Sequence, residues 1–279
     1  MKKIILMAAA IITATSVCAQ HPDPFLTDET RPDGTLWILE PPSLTGGDFA
    51  NDFYYYQWGK DYREGMLGYL ALWMERSDLY LAFSNCLDIE LSPERTPEIL
   101  KLADAAVGDA HKANYAVKEY YKRKRPFATF NEPSLKPETD DKEALTYSYP
   151  SGHSSRGWMF ALSLATVAPH CTALLMERAR EYALFRVVCG HHWKSDIDAS
   201  LMLTAGVFAS VVATDEYQQQ LAKAREEYRR VKAETSGVRP SKVETPAALK
   251  GPAYTTNGTP ATENSRGVII RDGQKTVVK

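Results

Sequence analysis

The sequence predicts an all-α fold built as a single multi-helical domain. Three observations carry that prediction. Apolar residues recur at helical spacing through most of residues 51–234. Helix-breaking residues, Pro126 and Gly190 among them, fall between the periodic stretches. With 279 residues, 44% of them hydrophobic and 24% charged, the chain can bury one substantial core, and nothing in its composition requires a second main domain. The formal net charge of -2 leaves no basic excess for nucleic acid or an anionic membrane, so any concentration of positive charge has to be local.

Residues 1–19 read as an export signal: Lys2-Lys3 form a charged start, Ile4 to Ile12 an apolar stretch, and Val17-Cys18-Ala19 a small-residue cleavage site before Gln20. The apolar stretch is shorter than the roughly 20 residues that span a bilayer, and bulky Val17 argues against lipid attachment at Cys18. Export places the protein in the periplasm or outside the cell, where disulfides form. Only Cys86, Cys171 and Cys189 remain after cleavage, so one bridge at most can form, and their spacing matches no zinc site. They are expected mainly as buried small hydrophobes, with Cys171 and Cys189 the pair to test first.

His21 to Thr45 is rich in Pro, Asp and Thr and reads as an extended segment wrapping the surface. From Asn51 to Ser84 the positions Phe53, Tyr54, Tyr56, Trp58, Met66, Tyr69, Leu70 and Trp73 make an aromatic stripe expected in the core, with Tyr56 or Trp58 as candidates for a pocket edge. Pro97 to Arg125 reads as one long helix stopped by Pro126, followed by a polar loop over 127–146. Ser151 opens a helix that runs through Leu164. Another spans about Ala173 to Val188, with Gly190 closing it. Ile197 to Thr214 is almost uncharged and is expected as a central buried helix, its length and its Ser and Thr content arguing against a membrane span. Tyr217 to Glu234 is a charged amphipathic helix, and 236–279 reads as a flexible polar tail.

Three clusters carry chemistry. Lys118 and Arg125 are seven residues apart, about two helical turns, so both could reach one anion. Alone, they read more readily as a solvated basic face, because Lys122, Arg123 and Lys124 crowd the same stretch. Ser151-Gly152-His153 at a helix start offers free N–H groups, a dipole that favours negative charge and a histidine one step inside. Alone, it is equally an ordinary N-cap. Arg186 is followed by His192 and, four residues on, by Asp196, a separation at which a carboxylate can bond one ring nitrogen and leave the other as a nucleophile. Alone, that pair is a surface ion pair; His191 and Asp198 compete for the roles.

Together, Lys118-x6-Arg125-Pro126, Pro150-Ser151-Gly152-His153 and Arg186-x5-His192-x3-Asp196 resemble the three-part signature of the phosphatidic-acid-phosphatase type 2 superfamily. The likeness is nearest to the secreted bacterial class A nonspecific acid phosphatases. It extends to Pro41-Pro42, Phe49-Ala50-Asn51-Asp52, Ser148-Tyr149-Pro150 through Gly157-Trp158, and Cys189-Gly190 through Asp196, covering roughly residues 36–228. The resemblance implies an all-helical, metal-independent phosphomonoesterase without a cofactor. In it His192 would be the nucleophile, Asp196 its orienting partner and His153 the general acid, while Lys118, Arg125, Ser151, Gly152 and Arg186 would bind the phosphoryl oxygens. Phe185 stands where the family usually has Ser, which puts hydrogen bonding around the pocket in question. The implied partners are small phosphomonoesters, with no nucleic acid polymer and no membrane span once the signal is removed; homo-oligomer formation is left open. A vanadium-dependent haloperoxidase and a phosphate-binding envelope protein are the rival readings, separated from a phosphatase by halide oxidation and by absence of turnover.

Overall fold

The computed structural model describes residues 22–76, 79–237, 253–255, 267–271 and 274–278. The export signal read over 1–19 lies outside the described residues. The chain divides into two compact units, Met1–Ala233 and Glu234–Lys279. The helical body is all-α, as the sequence predicts. In chain order its helices are α1 (Phe49–Asp61), α2 (Met66–Arg76), α3 (Leu79–Leu87), α4 (Pro97–Tyr121), α5 (Pro126–Phe130), α6 (Asp140–Glu143), α7 (Gly152–Val167), α8 (Thr172–Val188), α9 (Lys194–Val212) and α10 (Asp215–Gly237).

The body is organised around α7, which packs on α4, α8 and α9. Met159, Phe160, Ala161 and Leu164 of α7 are wholly buried, and its serines Ser154, Ser155 and Ser163 are buried with them. Buried hydroxyls need partners: Asn114 Nδ2 of α4 donates to Ser155 Oγ at 3.0 Å, a polar pin between the two helices. On the α4 side the inner stripe is largely alanine, Ala103, Ala106, Ala110 and Ala113, so the axes can approach closely. On the α8 side Gly157 allows the same, since a Cβ there would lie 2.6 Å from the Tyr182 ring.

The central buried helix is therefore α7, and the expectation that Ile197 to Thr214 fills that place is corrected. Helix α9 is long and apolar enough to cross a membrane by composition alone. Yet it buries one stripe, Ala199, Leu203, Val207 and Val211, while Leu201 and Met202 face outward at 40% and 44% exposure. Lack of charge does not reveal how many faces of a helix are covered. The aromatic stripe is corrected on the same ground. Tyr56 is buried, but Phe53, Tyr54, Met66, Tyr69 and Trp73 are exposed, and the inward positions of this region are Ala71, Met74, Leu79, Ala82 and Phe83. Periodicity identifies a face without saying which way it points.

Helix α4 stops at Tyr121, four residues before the expected end. Lys122 takes a left-handed conformation, φ 49°, and Arg125 is extended ahead of Pro126, which opens α5. The 127–146 loop contains most of α5, a short 3-10 helix at Pro137–Thr139 and α6. Helix α8 ends as expected at Val188, and Gly190 just beyond its cap has a φ of +79° that suits a residue without Cβ. The three described cysteines are free. A Cys171–Cys189 bridge is ruled out by α8 itself: the two residues flank its 17 residues, about 27 Å apart at 1.5 Å per residue, against the roughly 6 Å a disulfide tolerates.

In the segment read as a flexible polar tail the structure places three short strands, β1 (Ala253–Thr255), β2 (Gly267–Arg271) and β3 (Gln274–Val278), paired antiparallel in the order β1-β2-β3. Arg271 pairs with Gln274, leaving two residues between β2 and β3. The missed signal is in the sequence: Asp272-Gly273 between Val268-Ile269-Ile270 and Thr276-Val277-Val278 is a hairpin pattern.

Candidate active site

Four chain segments converge at one end of α7: residues 118–125, which are the last turn of α4 and the link after it, the first turn of α7, the end of α8, and the connection into α9. Asp196 lies in the first turn of α9 with no measurable exposure. Its Oδ2 accepts from the Trp193 N–H at 2.8 Å and from His192 Nδ1 at 3.3 Å, while Oδ1 accepts from Arg123 Nη1 at 2.7 Å. Burial pushes the Asp196 pKa up, and Arg123 and the Trp193 N–H oppose it.

The tautomer of His192 follows from its neighbours. Arg125 Nη1 lies 3.1 Å from His192 Nε2, and a guanidinium can only donate. Nε2 therefore carries the lone pair and Nδ1 the proton, which points at Asp196. Burial, then Arg125, Lys118, Arg186 and His191, hold the His192 pKa well below the ordinary imidazole value, so the ring is neutral. A neutral, oriented imidazole whose Nε2 lone pair faces cations has the chemistry of a nucleophile toward an anionic substrate.

The cations are positioned one by one. Arg125 is anchored by Thr146 Oγ1, the Glu143 carboxylate at 2.8 Å and the His191 carbonyl at 3.0 Å. Lys118 Nζ donates to the Tyr147 carbonyl. Burial and the nearby Arg125 push its pKa down to about 7, against the pull of Asp196 and Glu143. Arg186 is 4% exposed, donates through Nη2 to His191 Nδ1 at 2.9 Å, and pairs through Nη1 with Glu75; its Nε has no hydrogen-bond partner among the described residues. Phe185, in place of the family's Ser, packs into the hydrophobic core and contributes nothing polar, so His191 and Glu75 hold the Arg186 fork.

Ser151 caps α7. Its Oγ accepts from the Ser154 N–H at 3.3 Å and from Ser154 Oγ at 2.9 Å, and its own N–H donates to the Asp196 carbonyl at 3.1 Å. The first bond along the helix is from Ser155 N–H to the Ser151 carbonyl, so the N–H groups of Gly152 and His153 have no acceptor within the helix. A Cβ on Gly152 would point at Asn114 Oδ1 and Lys118 Cε, 3.6 and 3.9 Å away, over the N-terminal end of the helix. His153 is about one-third exposed. The groups packed around it, then Arg156, Arg125, Lys136 and Lys118, push its pKa down to about 3.

All eight residues singled out in the sequence meet here, although Arg125 arrives from an extended link rather than from the helix face first expected. Others were missed. Arg123, read as part of a solvated basic run, is the buried keystone of the site's floor. Its Nη2 donates to Asp52 Oδ2 at 2.7 Å, its Nη1 to Ser195 Oγ and Asp196 Oδ1, and it lies over the Trp193 ring. Asp52 in turn accepts the Ser195 N–H at 2.7 Å. The only forecast of this was the Phe49-Ala50-Asn51-Asp52 likeness. His191 competes no longer for the nucleophile's role. Arg186 donates to its Nδ1 and its Nε2 therefore donates to Ser134 Oγ at 3.0 Å, while the nearest carboxylate, Asp140, stands 3.8 Å from Nε2, so His191 has no orienting carboxylate of the kind Asp196 gives His192. Among the described residues no group of three His, Cys, Asp or Glu side chains is placed to hold a metal.

Replacing Arg123 by Met leaves Asp52 and Asp196 buried without their cation. The expected cost is about 3–5 kcal/mol of stability, on the order of 10 °C in Tm, together with loss of activity as Asp196 and His192 lose their setting. A thermal melt within two or three degrees of wild type would show that the two carboxylates do not depend on Arg123.

Residues 102–220 match the PAP2 superfamily. The chain is 33% identical over 250 residues to a non-specific acid phosphatase of Providencia stuartii, covering 83% of this chain and 100% of that protein. It is 30% identical over 228 residues to a non-specific acid phosphatase of Salmonella typhimurium, covering 78% of this chain and 88% of the relative. An acid phosphatase of Zymomonas mobilis is 25% identical over 240 residues, 84% of this chain and 89% of its own length.

Proposed function

Because the chain belongs to the PAP2 superfamily and is an acid phosphatase, we propose that it hydrolyses phosphomonoesters in two steps through a phosphohistidine on His192 Nε2. The observation that carries this is the fixed tautomer: Arg125 donates to Nε2 and Asp196 faces Nδ1, so the lone pair sits on the nitrogen facing the cations. In the first step that lone pair forms the N–P bond as the P–O bond to the leaving group breaks, and His153 gives its proton to the leaving oxygen. In the second, His153 takes a proton from water, whose oxygen attacks phosphorus, and the N–P bond breaks to return neutral His192 and inorganic phosphate. Lys118, Arg125, Arg186, the Ser151 cap and the first-turn N–H groups of α7 offset charge on the equatorial oxygens.

His153 is neutral in the empty site, since its pKa lies near 3. Its proton arrives with the substrate: a phosphomonoester has a second pKa of about 6, so in mildly acid solution the monoanion delivers one proton to the complex. The broad range implied by the relatives' names fits a site whose contacts, as assigned, all go to the phosphoryl group and its leaving oxygen. Export to the periplasm or medium, supported by the charged and apolar pattern of residues 2–19, is part of the same proposal.

The test is a panel of aryl, alkyl, sugar and nucleotide monoesters. All should turn over at mildly acid pH, with vanadate a competitive inhibitor bound ~10²-fold or more tighter than substrate, with activity retained after chelation and with no halide oxidation when vanadate and peroxide are supplied. Lys118 sets the alkaline side. It is charged below about pH 7 and neutral above. kcat/KM should therefore fall with one proton from about pH 6 and more steeply beyond 7, and Lys118→Met should keep only the one-proton limb at a lower overall rate. No turnover of any monoester, or activity lost on chelation and restored by Zn²⁺ or Mg²⁺, would overturn the proposal.

A further inference from the structure

The site already contains an anion of the chain's own. Glu75, in the last turn of α2, has a side chain only 9% exposed, and its carboxylate meets three groups of the site: Arg186 Nη1 and His153 Nε2 through Oε2, the latter at 3.9 Å, and Lys136 Nζ through Oε1 at 3.3 Å. Apart from these ion pairs, neither Glu75 Oε2 nor Arg186 Nη1 has a hydrogen-bond partner among the described residues. Carboxylate and phosphate are taken by the same guanidinium donors, so the two compete for Arg186.

We propose that Glu75 is a built-in competitor for the phosphoryl site. With the site empty, its carboxylate neutralises Arg186, whose buried charge would otherwise be uncompensated. When a phosphate dianion binds, the carboxylate gives up Arg186 and draws back from His153. A dianion about 4 Å from a retained carboxylate would be opposed by enough Coulomb energy, even at an effective dielectric constant near 20, to lower affinity more than tenfold. The competitor weakens substrate and product alike, and for a two-step hydrolase that ends with inorganic phosphate among several cations the gain is faster product release. This rests on the assignment of Arg186 and His153 to the substrate.

Calorimetric titration of inorganic phosphate into the full chain, with and without Glu75→Gln, separates the possibilities, alongside p-nitrophenyl phosphate kinetics. Gln keeps the shape and loses the charge. Phosphate should bind at least ~10-fold more tightly to the variant, KM should fall by a similar factor, and kcat should fall as product leaves more slowly. Glu75→Asp, which keeps the charge but withdraws it by one methylene, should lie between the two. Phosphate affinity unchanged or weakened in a Glu75→Gln protein that melts normally would overturn the proposal, leaving Glu75 as a positioning residue for Arg186. If Glu75→Gln does not fold, Glu75→Asp decides, and no gain in its phosphate affinity is the overturning result. Tighter phosphate binding in Glu75→Gln with no esterase activity in the wild type would instead sink the phosphohistidine reading and leave the competitor standing.

Discussion

Replacing His192 by Ala is expected to lower kcat with every phosphomonoester at least ~10⁴-fold, the order seen when a nucleophile that works within a constellation is removed. The cations remain in the variant, so phosphate can still bind, but the nitrogen that forms the N–P bond is gone. His153 is about one-third exposed, and its Nε2 faces Glu75 rather than the Arg125 side where Nε2 of His192 lies. The decisive measurement is covalent. A radiolabelled substrate, quenched rapidly under alkaline conditions that preserve an N–P bond and then mapped by peptide, should label His192 in the wild type and nothing in His192→Ala. Label on His191 would contradict the assignment, because the ring hydrogen-bonded to a carboxylate is His192, through Asp196, whereas His191 is held by Arg186 and Ser134.

His153→Ala should divide substrates by leaving group. General acid catalysis contributes typically ~10²–10⁴-fold, and it matters in proportion to how badly the leaving oxygen needs a proton. An alkyl phosphate should therefore lose that whole factor in the phosphorylation step, while p-nitrophenyl phosphate, whose anion departs readily, should lose much less. The second step needs His153 as base whatever the substrate was, so the variant given p-nitrophenyl phosphate should accumulate phosphohistidine on His192 after a burst of nitrophenol. Single-turnover rates with the two esters measure this directly. Equal losses for both would show that His153 positions the phosphoryl group instead of protonating the leaving oxygen.

Most of the candidate site was legible in the sequence because each of its parts is local. Ser151, Gly152 and His153 share one helix start, and His192 and Asp196 stand at the spacing of a helical turn. The α8 helix was legible too, and read fully it already forbade a Cys171–Cys189 bridge. What escaped notice is what crosses the chain. Arg123 reaches Asp52, 71 residues away, and converts an apparent surface charge into a buried clamp. In a linear string it cannot be told from Lys122 and Lys124, both of which carry the same charge in the same run.

From the sequence alone came the helices, the order of the three clusters and the chemistry each side chain can perform, because dihedral preference, periodicity and proton affinity are properties of short stretches. The tertiary structure alone decided which helix lies at the centre, which faces of α1, α2 and α9 meet water, which His192 nitrogen holds the lone pair, and that Glu75 pairs with Arg186. Each of those depends on what another part of the chain brings within a few ångströms. Burial and hydrogen bonding are relations between distant segments, and a residue's own neighbours in sequence do not contain them.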